Sequence, residues 1–165
     1  QVIVSEAAAQ ARDALHTARA AIDDLRAEAL FAPEFVVAIA QQTQQFHATT
    51  GIVVKLDAQL PDDLLVPSSV SLHARRAVAE MLANVARHAE ATTVRLGLHL
   101  ADGCLLIGVE DDGVGFDTET AAPPGHYGII GLRERARLTG GHFSIKSTPG
   151  KGTTVQLRLP LEEIA

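Results

Sequence analysis

Glu80, Asn84, Arg87 and His88 fall on one neighbourhood of a helical stretch, because spacings of four, seven and eight residues return side chains to the same face. An asparagine one turn after a glutamate is unusual on a merely solvated face, yet the set alone also reads as an exposed polar stripe. Further on, Asp111 closes the apolar run "CLLIGV" and begins D-x-G-x-G with Gly113 and Gly115. The glycines permit positive φ and close backbone approach. A carboxylate fixed at a strand end could accept a hydrogen bond from a planar amine; an ordinary acidic turn is the alternative. Gly128 and Gly131 flank a helix start directly after a loop. Free backbone N–H groups and the positive end of the helix dipole would there face a phosphate, with Arg133 and Arg135 nearby; flexible capping would look the same.

Other chemistries are missing. "STPGKGTTV" is not G-x-x-x-x-G-K-[ST], since Lys151 is followed by Gly152, and Gly113-Val-Gly115 does not continue into G-x-G-x-x-G. Neither G-x-S-x-G nor H-E-x-x-H occurs. The seven histidines (16, 47, 73, 88, 99, 126 and 142) show no metal-ligand spacing. The single Cys104 excludes an internal disulfide and a cysteine-based zinc site, and fits a small core residue. A formal charge of −6 argues against nucleic acid. With 165 residues, 47% of them hydrophobic, the chain suits one folded domain with an extra helix. No apolar stretch approaches the roughly 20 residues that cross a bilayer. The start without methionine suggests a piece of a longer protein, soluble and intracellular as given.

The elements that must position these residues are legible from periodicity. Val4, Ala8, Ala11, Leu15, Ala18, Ile22, Leu25 and Ala29 form a heptad seam over residues 4–30, which predicts a helix that pairs in a bundle. After Pro33 a second helix runs to Gly51. "IVVKLDA" reads as a strand, "QLPDDLLVPSS" as a loop, and residues 69–89 as a helix capped by Ser68 or Ser69. "TTVRLGLHL" alternates as a half-buried strand with Val94, Leu96, Leu98 and Leu100 on one face. Asp102-Gly103 predicts a hairpin into "CLLIGVE". Residues 112–127 read as a mobile loop, "IIGLRERARLTGG" as a short helix, and "HFSIKS" with "GTTVQLRLP" as a last hairpin. This order predicts an α/β fold, a two-layer sandwich with a mixed, mostly antiparallel sheet and helices on one face, preceded by an N-terminal helix.

Four segments in order then carry a resemblance: "EMLANVARHAEATTV", "DDGVGF", "HYGIIGLRERARLTGG" and "STPGKGTTVQLRLP". Over roughly residues 50–160 the chain resembles the GHKL (Bergerat) ATP-binding domain of sensor histidine kinases, above all the nitrate-sensor and DesK-type subclass that partners NarL-type response regulators. The resemblance implies ATP and Mg²⁺ as ligands. It implies that Asn84 holds the Mg²⁺ and that Glu80 orients water or assists phosphoryl transfer. Arg87 would meet the phosphates and His88 pack near the adenine. Asp111 would take the adenine amine, over a pocket floor shaped by Gly113 and Gly115. Gly128 and Gly131 would let the helix start approach the phosphates beneath a lid over about 116–127, and Thr153 or Thr154 would complete the adenine side.

Residues 1–32 would be the end of a dimerisation and phosphotransfer bundle, and 33–165 the catalytic domain. In this family the phosphoacceptor His precedes an acidic residue; no such pair occurs here, and His16 in "ALHTAR" is misplaced for it. The fragment is therefore expected to bind ATP without phosphorylating itself. The parent would be a homodimer, cytoplasmic here and membrane-associated only through segments outside this chain. Two rivals share the fold: an anti-sigma-factor type serine kinase, and a degenerate nucleotide sensor acting through its seam.

Overall fold

Every second residue of "TVRLGLHLA" is apolar or small. In the computed structural model, which describes residues 29–117 and 127–162, this segment is a strand. Its Val94, Leu96 and Leu98 are fully buried while Arg95 is exposed. It is the fourth strand, β4 (Thr93–Ala101). Ahead of it come β1 (Leu30–Phe31), α1 (Ala32–Thr50), β2 (Val53–Gln59), β3 (Leu65–Val66) and α2 (Ser68–His88). After it come β5 (Cys104–Asp111), α3 (Tyr127–Leu138), β6 (His142–Ser147) and β7 (Thr153–Pro160).

Five strands form one sheet in the order β2-β4-β5-β7-β6. β2 and β4 are parallel, as the long crossover through α2 allows. The other three pairings are antiparallel. Asp102 and Gly103 both adopt positive φ, 49° and 68°, the twist that a two-residue hairpin between β4 and β5 requires. One face of the sheet carries the helices. α2 buries Val70, Ala74, Ala77, Val78, Met81, Leu82 and Val85, spaced by three and four, against Leu96, Leu105, Ile107, Val109 and Leu157. Phe35 and Ile39 of α1, and Leu132 and Ala136 of α3, join the same core. The two-layer mixed sandwich is the expected one.

Three local expectations change. Neither Ser68 nor Ser69 caps α2: extended Pro67 holds the cap position, no side chain bonds there, and Ser71 N–H donates to Pro67 O at 2.8 Å. The loop before α2 contains β3, which pairs with β1 through Leu30–Val66 and Phe31–Leu65; two-residue strands leave no periodicity to read. Leu30 is therefore strand, not the end of the heptad helix, whose residues 4–28 lie outside the described ones, as do residues 118–126 of the expected lid. The expected boundary at 32/33 falls in the first turn of α1, which ends on the left-handed Gly51, φ 75°.

Leu96 is fully enclosed, so Leu96→Ala is expected to lose about 2–5 kcal/mol in urea denaturation. Val37 is 56% exposed, and Val37→Ala should stay within about 0.5 kcal/mol in the same measurement.

Candidate functional site

β5 and β7 end side by side, with Asp111 opposite Thr153, beneath the last turns of α2. Alternation along β5 turns Asp111 to the buried face, where it is 6% exposed. Its Oδ1 accepts N–H bonds from Gly113 at 2.9 Å and Thr153 at 3.3 Å. Burial pushes its carboxyl above the usual aspartate range; the two amides pull it down, and the charges of Asp112 and Glu110 add to the rise. Asp112 does something different. Its Oδ1 accepts the N–H groups of Thr92 at 2.8 Å and Thr93 at 2.9 Å, and its Oδ2 accepts the Thr92 hydroxyl at 2.8 Å. Those bonds, the Thr93 amide first, hold it below the usual range, and the residue pins the start of β4.

The glycines after Asp111 serve packing. A Cβ on Gly113 would collide with the Ala89 carbonyl at the end of α2. Gly115, at φ 60°, lies against the Thr148 carbonyl, and Gly152, at φ 77°, against the carbonyl of Asp111. Hydrogen bonds close the same junction: Val114 N–H to Ala89 O at 2.7 Å, and Gly150 N–H to Val114 O at 2.6 Å. Ser147 Oγ accepts from Phe116 N–H at 2.8 Å and lies 2.9 Å from Thr153 Oγ1.

Above this junction a narrow cleft of about 70 Å³ opens between α2, α3 and the sheet. Asn84, His88, Asp111, Gly115 and Thr153 line it, with Met81, Val85, Ile129, Leu132, Ile145, Val155 and Phe116 as apolar walls. Five of the residues expected from sequence thus meet. Thr154 does not: one residue along β7 it faces the opposite side of the sheet, so of the pair only Thr153 reaches the cleft. Among the described residues, Glu80, Arg87, Gly113 and Gly131 are not in the lining. The apolar walls were missed by motif reading, although alternation in "HFSIKS" and "TTVQLRLP" signals Ile145 and Val155.

Residues 69–163, more than half of the chain, match the family described as histidine kinase-, DNA gyrase B-, and HSP90-like ATPase. The chain belongs to this family. Sensor histidine kinase YdfH of Bacillus subtilis is 36% identical over 119 residues, which are 71% of this chain and 29% of that protein. Sensor protein VraS of Staphylococcus aureus is 31% identical over 119 residues, 68% of this chain and 34% of that protein. The chain thus spans about a third or less of these curated relatives. A blue-light activated histidine kinase of Erythrobacter litoralis superimposes with a TM-score of 0.62 at 25% identity, over 74% of this chain and 44% of that one.

Two observations bear on ligands of this ATPase-family domain. Asp111 is a buried carboxylate whose bonds among the described residues both end on Oδ1, which leaves Oδ2 for a donor in the cleft. One turn apart on α2, Glu80 Oε1 and Asn84 Oδ1 converge on one cation: Arg87 Nη2 lies 2.9 Å from the first and 3.0 Å from the second. Two hard oxygens that converge on a cation fit the donor chemistry of a small divalent ion. Arg135 is half-buried and its pKa lowered, by desolvation first and by Arg76 next. Arg133 stacks 6.0 Å above the ring of Phe143.

The two neighbouring aspartates should titrate in opposite directions. Asp111, raised by folding, contributes stability that is lost as pH climbs from the unfolded aspartate value through the raised one. Asp112, lowered, contributes stability that is lost as pH falls through its depressed value. Carbon-detected NMR titration of the carboxyls is expected to give an Asp111 midpoint above free aspartate and an Asp112 midpoint below it; coincident midpoints contradict this.

Proposed function

We propose that the cleft binds ATP, and that the longer protein transfers the γ-phosphoryl group to a histidine outside this chain and on to an aspartate of a NarL-type response regulator. The observation that carries the reading is the buried Asp111 carboxylate, aimed into an apolar slot at the end of β5. A planar amine that donates to Oδ2 replaces the water this burial removes, and Met81, Val85, Ile129 and Val155 offer flat apolar contact to an aromatic base. His88 and Thr153 complete the rim on either side. A 70 Å³ slot is well below the roughly 300 Å³ of ordinary ligand pockets, so Phe116 and Ile129 must yield when a base enters.

Asn84, with Glu80 beside it, would hold Mg²⁺, which supplies neutralisation of the phosphate charge. Arg87 must then release Asn84 Oδ1 and can turn to the phosphates. Gly128 and Gly131 would open the start of α3; apart from the helix backbone, no atom of the described residues lies within 4 Å of where a Cβ on Gly131 would point, which leaves room for a phosphate near the helix end. In the transfer, the P–O bond to the β-phosphate breaks, a P–N bond forms on the acceptor imidazole, ADP departs, and Glu80 accepts the proton that the ring gives up. Positioning and charge neutralisation are the protein's main contributions. The subclass assignment rests on "HAEATT" after Asn84 and on "GLRER" in α3. The heptad seam supports a homodimer of the parent, cytoplasmic at this domain.

Calorimetric titration of ATP, with and without Mg²⁺, tests the pocket. Asp111→Asn is expected to weaken binding about 10- to 100-fold, the loss of one hydrogen bond to a charged acceptor, with the cooperative fold retained. No binding by the folded wild type refutes the reading. Given ATP and a histidine-bearing helical bundle in trans, acid-labile phosphate should appear on the bundle; acid-stable phosphoserine on a partner would favour the serine-kinase rival. Phosphate mapped to His16 of this chain would overturn the expectation that it lacks its own acceptor.

A further inference from the structure

The face of the sheet turned away from the helices holds a concavity of about 640 Å³, far roomier than the cleft. Its floor is a cross-strand pair of glycines, Gly97 opposite Gly108. Glycine weakens a strand interior and usually answers a bend, a bulge or the close approach of something else. Here neither glycine has positive φ, and the pairing of β4, β5 and β7 runs through them without a break. Among the described residues, a Cβ on Gly108 would meet nothing within 4 Å, and one on Gly97 would meet only the ring of His99, at 3.1 Å. The fold requires a glycine at neither place. What the pair provides is open space above the sheet.

Two residues along each strand, on either side of that floor, side chains stand up as walls. One row runs through Lys55, Arg95, Glu110 and Lys146; the other includes Leu106 and Arg158. The rows lie about 13 Å apart at 3.3–3.4 Å per residue, a width that matches the roughly 10–12 Å diameter of an α-helix with its side chains. Basic side chains outnumber acidic ones on this face. The chain carries −6 overall, yet all three of its lysines, Lys55, Lys146 and Lys151, line this concavity or the one adjoining it. Against these lysines and Arg95 and Arg158 stand Asp57 and Glu110. The Arg95–Glu110 pair is 3.9 Å long and exposed at both ends, so it offers little competition. Arg158 reaches Asp102 at 3.5 Å.

We propose that this furrow docks an acidic amphipathic helix of a partner protein. Its apolar residues would rest on the Gly97–Gly108 floor and Leu106, and its carboxylates would reach out to the lysines and arginines of the walls. The site is separate from the nucleotide cleft and does not depend on it. Asp57 and Glu110 in the furrow disfavour a polyphosphate backbone, so a nucleic acid is the poorer occupant.

The test is an amide NMR titration of the 165-residue chain with a short helical peptide of repeating Glu-Glu-Leu-Leu. Saturable shifts are expected at Gly97, Gly108 and Gln156, with Asp111 and Gly115 unmoved. Gly108→Val changes no charge and suits a strand; it should keep or raise the melting temperature and weaken the peptide at least tenfold. Gly108→Ala should give a smaller loss and serves if the valine variant does not fold. Lys55→Gln with Lys146→Gln should weaken binding severalfold. Absence of shifts overturns the proposal. So does unchanged affinity in the folded Gly108 variants, which would mean diffuse attraction to a basic face. So does equal or tighter binding of a short duplex DNA at the same amides.

Discussion

A carboxylate held out of water at the end of β5 sets the terms for the rest of the site. Asp111 could not stay there without donors, and the two it has come from backbone that must be brought close, Gly113 just beyond it and Thr153 across the ladder. Bringing that backbone close requires glycine at 113, 115 and 152, where a side chain would strike a carbonyl of α2, of the β6–β7 turn or of Asp111 itself. The D-x-G-x-G pattern is thus a packing solution first. The chemistry it enables sits one atom further on, at the oxygen those amides leave over.

The period of two in a strand divides labour between neighbours. Asp111 faces inward and is raised by burial, while Asp112, beyond the last ladder position, binds Thr92 and Thr93 and is lowered. Thr153 reaches the cleft and Thr154 the opposite face. Gly108 and Val109 divide in the same way, one leaving space outside and the other filling the core inside. The sheet therefore presents two unlike surfaces, an apolar one roofed by helices and a cationic one open to solvent.

Long periodic segments made the architecture readable. The alternation of β4, the three-and-four spacing of α2 and the Asp102-Gly103 turn each state their structure locally, and so the mixed sandwich could be inferred. Asn84, His88, Asp111, Gly115 and Thr153 were legible as a set because motifs preserve their order, and the fold then brings them together. What could not be read depends on distant partners. β1 and β3 are strands only because each meets the other. Pro67 displaces the serines from the cap of α2. The capture of Glu80 and Asn84 by Arg87 is a matter of rotamers that spacing does not specify, and the packing role of Gly113 depends on where Ala89 ends up.

At the other end of the β4–β5 hairpin from the site, Asp102 and Gly103 make a tip whose glycine faces open space. Seven residues of β5 separate that tip from Asp111, about 24 Å at strand rise. Beyond the last ladder pair, Ala101–Cys104, the tip is held to the sheet by Arg158 at Asp102 and by the Leu161 N–H at Gly103 O, so residues added between Asp102 and Gly103 leave the helix-covered surface of the sheet untouched. A fluorophore, an epitope or a small reporter domain spliced at this point would ride on the rigid part of the molecule, far enough away to report on the cleft without entering it.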